Sequence, residues 1–229
     1  MSLKIAILVS GRGSNMTAIL DAIDAGTLDA KVQLVFSNNA DAPALITAQK
    51  RGIPTAFLSH KGIAREHHEQ QLINLLAQYE LHCIVLAGYM RVLSPNFLNA
   101  FKDARGFYRV INIHPSLLPA FPGANAYDDA FNYGVRVSGI TVHLVDEKVD
   151  HGPILAQEIF QRLPEDDLEA FKARGLAIEH RLYPQVLQDI SENGVRFFRR
   201  IELNHKHDGK TSWNSHELVA ASRPEKEGT

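Results

Sequence analysis

Residues 3–15 read Leu3-Lys4-Ile5-Ala6-Ile7-Leu8-Val9-Ser10-Gly11-Arg12-Gly13-Ser14-Asn15 (LKIAILVSGRGSN). A short apolar run closed by a glycine-bearing turn is the pattern of a buried strand, and the turn leads into a helical stretch, Ser14 to Ala25. The same order recurs downstream. Val32 to Phe36 is strand-like, Ala42 to Arg51 helical, Thr55 to Leu58 a short strand and Ala64 to Tyr79 an amphipathic helix. In that last helix Leu72, Leu75, Leu76 and Tyr79 recur at helical spacing, which marks them as core. His82 to Ala87 is a further buried strand, and Ser94-Pro95 opens a short helix with a serine cap and a proline in the first position.

Strand and helix in alternation predict an α/β fold, Rossmann-like, with a mostly parallel, doubly wound sheet. Val110 to His114 is the next strand, and PSLLPAFPG (residues 115–123), with its three prolines, must be a loop. Ala124 to Tyr133 is helical and ends at Gly134. Gly139 to Val145 and Ile154 to Phe160 are closely spaced strands, which predict a mixed, antiparallel C-terminal extension of the sheet. Asp166 to Ser191 reads as a long helix, weakened at Gly175 and kinked or broken at Pro184, and Val195 to Phe198 as a late strand. The expected organisation is one domain over residues 1–205 and a polar, partly disordered tail over 206–229.

The chain has 229 residues, 45% of them hydrophobic and 22% charged, enough for one large globular domain. A formal net charge of -2 argues against a non-specific nucleic-acid binder. The N-terminal apolar run is too short for a secretory signal, and no stretch approaches a membrane span. The single cysteine, Cys83, lies in HCIVLA and reads as a small buried hydrophobe, so a reducing, cytoplasmic setting is expected. His67-His68 and His205-Lys206-His207 read as solvated surface, and no metal site is expected.

Ligands of doubly wound sheets bind beyond the carboxyl ends of the strands, which is where Ser10 to Asn15 lies. Its glycines permit a tight turn beside a helix N-terminus, suited to an anion; equally, they could serve the turn alone. A dinucleotide fits poorly. Met16 stands where a third glycine would fall, and the second strand ends in Ser37-Asn38-Asn39, without the acidic residue a ribose would need. A single phosphate fits better.

VINIH (residues 110–114) places Asn112 and His114 on one face of a strand, and Pro115 ends its ladder, leaving His114 at a rim. With Asp150, in Asp150-His151-Gly152-Pro153, they supply an amide donor, an imidazole and a carboxylate. That set suits a reaction in which a carbonyl oxygen becomes negative while a proton moves. The plainer reading is a strand-end histidine and a turn aspartate. His143 is read as a strand residue outside the site, His151 as pointing elsewhere, and Phe121, Tyr127 and Phe131 as packing residues.

SGRGSN, FSNNADA, LAGYMRVLSP (residues 86–95), INIHPSLLPAFPG (residues 111–123) and the segment Gly139 to Gln157 occur in one order with compatible spacing. Over about residues 3–200 the chain thereby resembles the phosphoribosylglycinamide formyltransferases, folate-dependent enzymes of purine synthesis. The resemblance implies the formyltransferase fold and transfer of a formyl group from 10-formyltetrahydrofolate to the amine of 5′-phosphoribosylglycinamide. It implies Asn112, His114 and Asp150 as catalytic residues, Gly13, Ser14 and Asn15 at the phosphate, and Glu179 near the ribonucleotide. Arg65, Met90, Arg91, Val92 and Leu93, with Asn112, would line the folate site. It further implies small-molecule substrates, neither nucleic acid nor membrane as partner, and a monomer or homodimer.

In that chemistry the amine adds to the formyl carbon and an oxyanion forms, to which Asn112 and protonated His114 can donate. Asp150, as a nearby anion, favours the imidazolium. Arg65 and Arg91 would meet folate carboxylates or pterin carbonyls, or else stand as surface cations. Leu176 replaces a polar side chain expected three positions before Glu179, and Ala124 to Tyr127 lacks the histidines of some relatives. The alternatives are a formyltetrahydrofolate hydrolase, using the same trio on water, and a non-catalytic nucleotide-binding module. The first usually carries an N-terminal regulatory domain, whereas here the catalytic domain starts at residue 3; the second needs no proton relay. Methionyl-tRNA formyltransferase would require a basic C-terminal RNA-binding domain.

Overall fold

In the computed structural model, which describes residues 2–194, seven strands make one sheet. They are β1 (Leu3–Val9), β2 (Ala30–Ser37), β3 (Thr55–Phe57), β4 (Cys83–Leu86), β5 (Val110–His114), β6 (Val137–Leu144) and β7 (Ile154–Gln161), in the order β3-β2-β1-β4-β5-β6-β7. β1 to β5 pair in parallel, and β6 and β7 add antiparallel. The expected mixed extension is therefore present. After β1 the chain winds outward through β2 and β3, then returns to place β4 on the other side of β1. That reversal opens a crevice beyond the carboxyl ends of β1 and β4.

The helices are α1 (Ser14–Asp24), α2 (Pro43–Lys50), α3 (Arg65–Leu76), α4 (Pro95–Ala100), α5 (Ala126–Tyr133) and α6 (Leu168–Asn193). Alternation along β1 divides the core. Ile5, Ile7 and Val9 pack with Met16 and Ile19 of α1, Ala44 of α2 and Leu187 of α6. Ala6 and Leu8 face the other way, toward Leu72 and Leu76 of α3 and Phe97 of α4. β1 and β4 are buried on both faces, which explains why they read, Lys4 apart, as continuous apolar runs rather than alternating. Ser94 caps α4 as its sequence suggested, accepting from the Phe97 amide at 3.2 Å. Leu75 and Tyr79 are only partly buried, with α3 ending at Leu76.

Pro184 does not break α6, which runs unbroken across it. A mid-helix proline costs about 3 kcal/mol; here Leu182, Tyr183, Val186 and Leu187 around it are all buried. That burial outweighs one missing hydrogen bond. The buried Tyr183 hydroxyl lies 3.0 Å from the carbonyl of Leu86, the last residue of β4, and 2.9 Å from that of Ile111 within β5.

His68 also departs from expectation. His67 is on the surface, but successive helical residues point about 100° apart, and His68 is fully buried against Phe36, its Nε2 donating to the Leu58 carbonyl at 3.1 Å. Burial lowers its pKa. The late strand Val195 to Phe198 and the polar tail lie outside the described residues. Among the described residues no helix is long and apolar enough to cross a membrane.

Candidate active site

Three loops meet at the crevice. Gly13 caps α1 in the left-handed region (φ 71°), and a Cβ there would stand 2.7 Å from that of Ala44, so the turn requires glycine twice over. Ser10 Oγ accepts from the Met90 amide at 2.8 Å and donates to Asn38 Oδ1 at 2.6 Å, tying together the loops after β1, β2 and β4. Gly13, Ser14 and Asn15 line a small hollow with Arg12, Gly88 and Met90. Asn15 also borders a larger cleft of roughly 370 Å³ that runs to the end of β5.

Asn112, His114 and Asp150 come together in that cleft. His114 Nδ1 lies 3.3 Å from Asp150 Oδ2. Its Nε2 donates to the Phe121 carbonyl at 2.8 Å. With one ring nitrogen facing a carboxylate and the other a carbonyl, only the imidazolium offers a donor to each. His114 closes β5 and borders the cleft, the strand-end position expected of it, but it is largely buried there. The 115–123 loop folds back over the strand end and leaves the side chain 5% exposed. Thr141 pins that loop, accepting from the Leu118 amide at 3.1 Å and donating to the Ser116 carbonyl at 2.6 Å.

Asp150 sits at φ 55°, a left-handed conformation that aspartate tolerates better than most residues. Its Oδ2 also accepts from the Gly123 amide at 2.8 Å. Two residues on, a Cβ at Gly152 would fall 2.0 Å from the Leu144 carbonyl oxygen, so only glycine lets the chain enter β7 there.

His143 belongs to this group, against the sequence reading. It is the register partner of Asn112 across β5 and β6, with its Nε2 3.3 Å from Asn112 Nδ2 and 3.7 Å from Asp150 Oδ1. Alternation does put His143 on one face with Thr141, but only the pairing of β5 with β6 reveals what that face meets. Burial lowers its pKa, against the opposing pull of the Leu144 carbonyl and Asp150. His151 points away, as expected, and pairs with Asp146 at 3.0 Å.

Met90, Arg91, Val92 and Leu93 all border the cleft, Met90 at 68% exposure and Leu93 nearly buried. Arg65 does not. Its guanidinium donates to the Val92 carbonyl at 2.7 Å and pairs with Glu69 at 3.3 Å, so it buttresses the 90–93 loop from behind. Tyr89, Val145 and Val149, which the sequence reading did not name as site residues, complete an apolar wall. Glu179 reaches the cleft from α6, accepting from Asn15 Nδ2 and from the Tyr127 hydroxyl, each at 2.6 Å. Tyr127 is thus a polar partner as well as a packing residue. Leu176 lies 36% exposed, outside the residues that border the cleft. Among the described residues no group of three or more His, Cys, Asp or Glu could hold a metal ion.

The formyl transferase family model matches residues 3–187. Phosphoribosylglycinamide formyltransferase of Haemophilus influenzae is 39% identical over 194 residues, 84% of this chain and 89% of its own. The trifunctional purine biosynthetic protein adenosine-3 of Gallus gallus is 38% identical across 84% of this chain, which spans only 19% of that larger protein. The crystal structure of phosphoribosylglycinamide formyltransferase from Bacillus halodurans superposes with a TM-score of 0.79 at 38% identity, covering 85% of this chain and 99% of that one. With its sheet order, its glycine turn and its Asn–His–Asp cluster, the chain belongs to the formyl transferase family, among the phosphoribosylglycinamide formyltransferases.

Proposed function

We propose that this enzyme transfers a formyl group from 10-formyltetrahydrofolate to the amine of 5′-phosphoribosylglycinamide, at the end of the cleft where Asn112, His114 and Asp150 meet. The observation that carries the proposal is continuity. One cleft joins that cluster to Glu179 and, through Asn15, to the glycine turn, so a phosphorylated amine can lie along it with its amine at the cluster. The free amides of Gly13, Ser14 and Asn15 at the start of α1 suit the phosphate. The apolar wall and the 90–93 loop suit the flat ring of the formyl donor, with Arg91 the cation nearest its carboxylates or carbonyls. Arg65 contributes by holding that loop.

Addition of the amine to the formyl carbon places negative charge on the formyl oxygen. Asn112 meets it with the amide hydrogen that His143 does not take. His114 can donate only by exchanging its Phe121 carbonyl for the oxyanion, and Asp150 holds the ring for that exchange. The incoming amine loses a proton and the folate nitrogen leaves with one. The His114–Asp150 pair is the relay within reach of both. All these residues come from one chain, which suits a monomer or a homodimer. The lone buried Cys83 suits a reducing, cytoplasmic setting.

Incubating the protein with 10-formyltetrahydrofolate, with and without the ribonucleotide, and following folate release tests the proposal. Release that depends on the ribonucleotide is expected. Equal release without it would make water the acceptor and overturn the assignment.

A further inference from the structure

Glu179 is only 6% exposed, yet it faces the cleft, and each of its oxygens already accepts one hydrogen bond, from Asn15 and from Tyr127. A carboxylate has about four lone-pair sites, so about two remain. The other end of the Asn15 amide, Oδ1, is buried without a hydrogen-bond partner. Acceptors that are buried and unsatisfied are costly until a ligand supplies donors. This part of the cleft is therefore rich in acceptors, and what it lacks is hydroxyl groups.

Tyr127 fixes that arrangement from behind. Burial, then the adjacent Glu179 carboxylate, push its phenol far above the ordinary range, so it remains a donor. Space for it comes from Gly175, one helical turn before Glu179 on α6. A Cβ at Gly175 would stand 2.4 Å from the phenol oxygen. The glycine that looks like a weakness in α6 is the seat of this tyrosine.

We propose that Tyr127 is a positioning residue for the sugar of the amine substrate. It clamps Glu179 so that this carboxylate and Asn15 Oδ1 accept together from the ring hydroxyls. The proposal rests on the reading that the acceptor is a ribonucleotide.

Steady-state kinetics of Tyr127→Phe, which keeps the ring and removes the donor, test it. The KM for the ribonucleotide should rise about tenfold, the size expected for one lost hydrogen bond to a charged group. The kcat and the KM for the formyl donor should stay within about twofold, since neither the cluster nor the folate wall is touched. The 2′-deoxy ribonucleotide provides a readout that general loosening would not move. The wild type should discriminate against it, and Tyr127→Phe should lose much of that discrimination. Gly175→Ala, which displaces the phenol without deleting it, should reproduce the pattern if it folds; if it does not fold, Tyr127→Phe decides alone. An unchanged ribonucleotide KM in Tyr127→Phe, or equal losses for both substrates, would overturn the positioning role while leaving the enzyme's reaction intact. A wild type that does not formylate the ribonucleotide at all would overturn both.

Discussion

Asn112 and His143 face one another as register partners on β5 and β6, with the asparagine amide nitrogen 3.3 Å from His143 Nε2. The other ring nitrogen, Nδ1, lies 2.8 Å from the Leu144 carbonyl, which can only accept, so Nδ1 carries the proton. Nε2 of the neutral ring is then a lone pair, and the Asn112 amide must present its NH2 rather than its oxygen. His143 thereby sets which way the Asn112 amide points, and with it the oxyanion donor of the proposed mechanism. Without that partner the amide can flip and offer oxygen to a developing anion.

His143→Leu should therefore lower kcat by about one to two orders of magnitude. That is less than the roughly 2.7–4 kcal/mol typical of deleting an oxyanion donor, because Asn112 remains. Ribonucleotide KM should change little. Steady-state kinetics check this; a wild-type kcat would show that Asn112 is oriented by something else.

The same histidine predicts a pH dependence. Burial holds its pKa below the ordinary 6.5, so between the two values the unfolded chain binds a proton that the folded protein refuses. The contribution to stability is full above about pH 6.5 and is lost as pH falls through the lowered pKa. His68, shifted in the same direction by burial, adds to the same trend. Urea unfolding across this window should show stability falling with pH. Titration of the His143 ring by NMR should give a midpoint below 6.5, and Asp150→Asn should lower it further, because the carboxylate opposes the shift. A midpoint at or above 6.5 would mean that Asp150 outweighs burial.

The sheet and the approximate positions of its strands and helices were legible because their signals are local: apolar runs for strands buried on both faces, helical spacing in Leu72 and Leu76, glycine at Gly13 and Gly134. That Asn112, His114 and Asp150 would lie together near strand ends was legible for a similar reason, since they stand beside residues that end strands or shape turns. What escaped depends on pairing between distant segments. His143 meets Asn112 only through the antiparallel register of β5 with β6, and Tyr127 meets Glu179 only where α5 packs on α6. Pro184 misled because intrinsic helix propensity cannot register a buried flank, and His68 because polarity of the neighbours concealed which face it took. Arg65 carries a charge that suits a folate carboxylate, yet it pairs with Glu69 one helical turn on, at i,i+4, and with the Val92 carbonyl, which no local spacing connects to it.

Asp150 holds the remaining prediction, because it joins the loop to the imidazole. Its Oδ2 accepts from the Gly123 amide at 2.8 Å and lies 3.3 Å from His114 Nδ1. Asp150→Asn keeps the volume and one acceptor oxygen. If that oxygen stays with the Gly123 amide, the 115–123 loop is preserved and the charge opposite His114 is lost. If the amide turns instead, its NH2 confronts the Gly123 N–H and the loop loosens. The first outcome is expected, since a backbone donor cannot reverse its role and the His114 ring can. Turnover should then fall by about tenfold to a hundredfold, the range for a hydrogen bond to a charged group, while both KM values stay near wild type. Loss confined to kcat places the effect in the transition state. A rise in both KM values with little loss of kcat would instead make Asp150 chiefly the anchor of the loop.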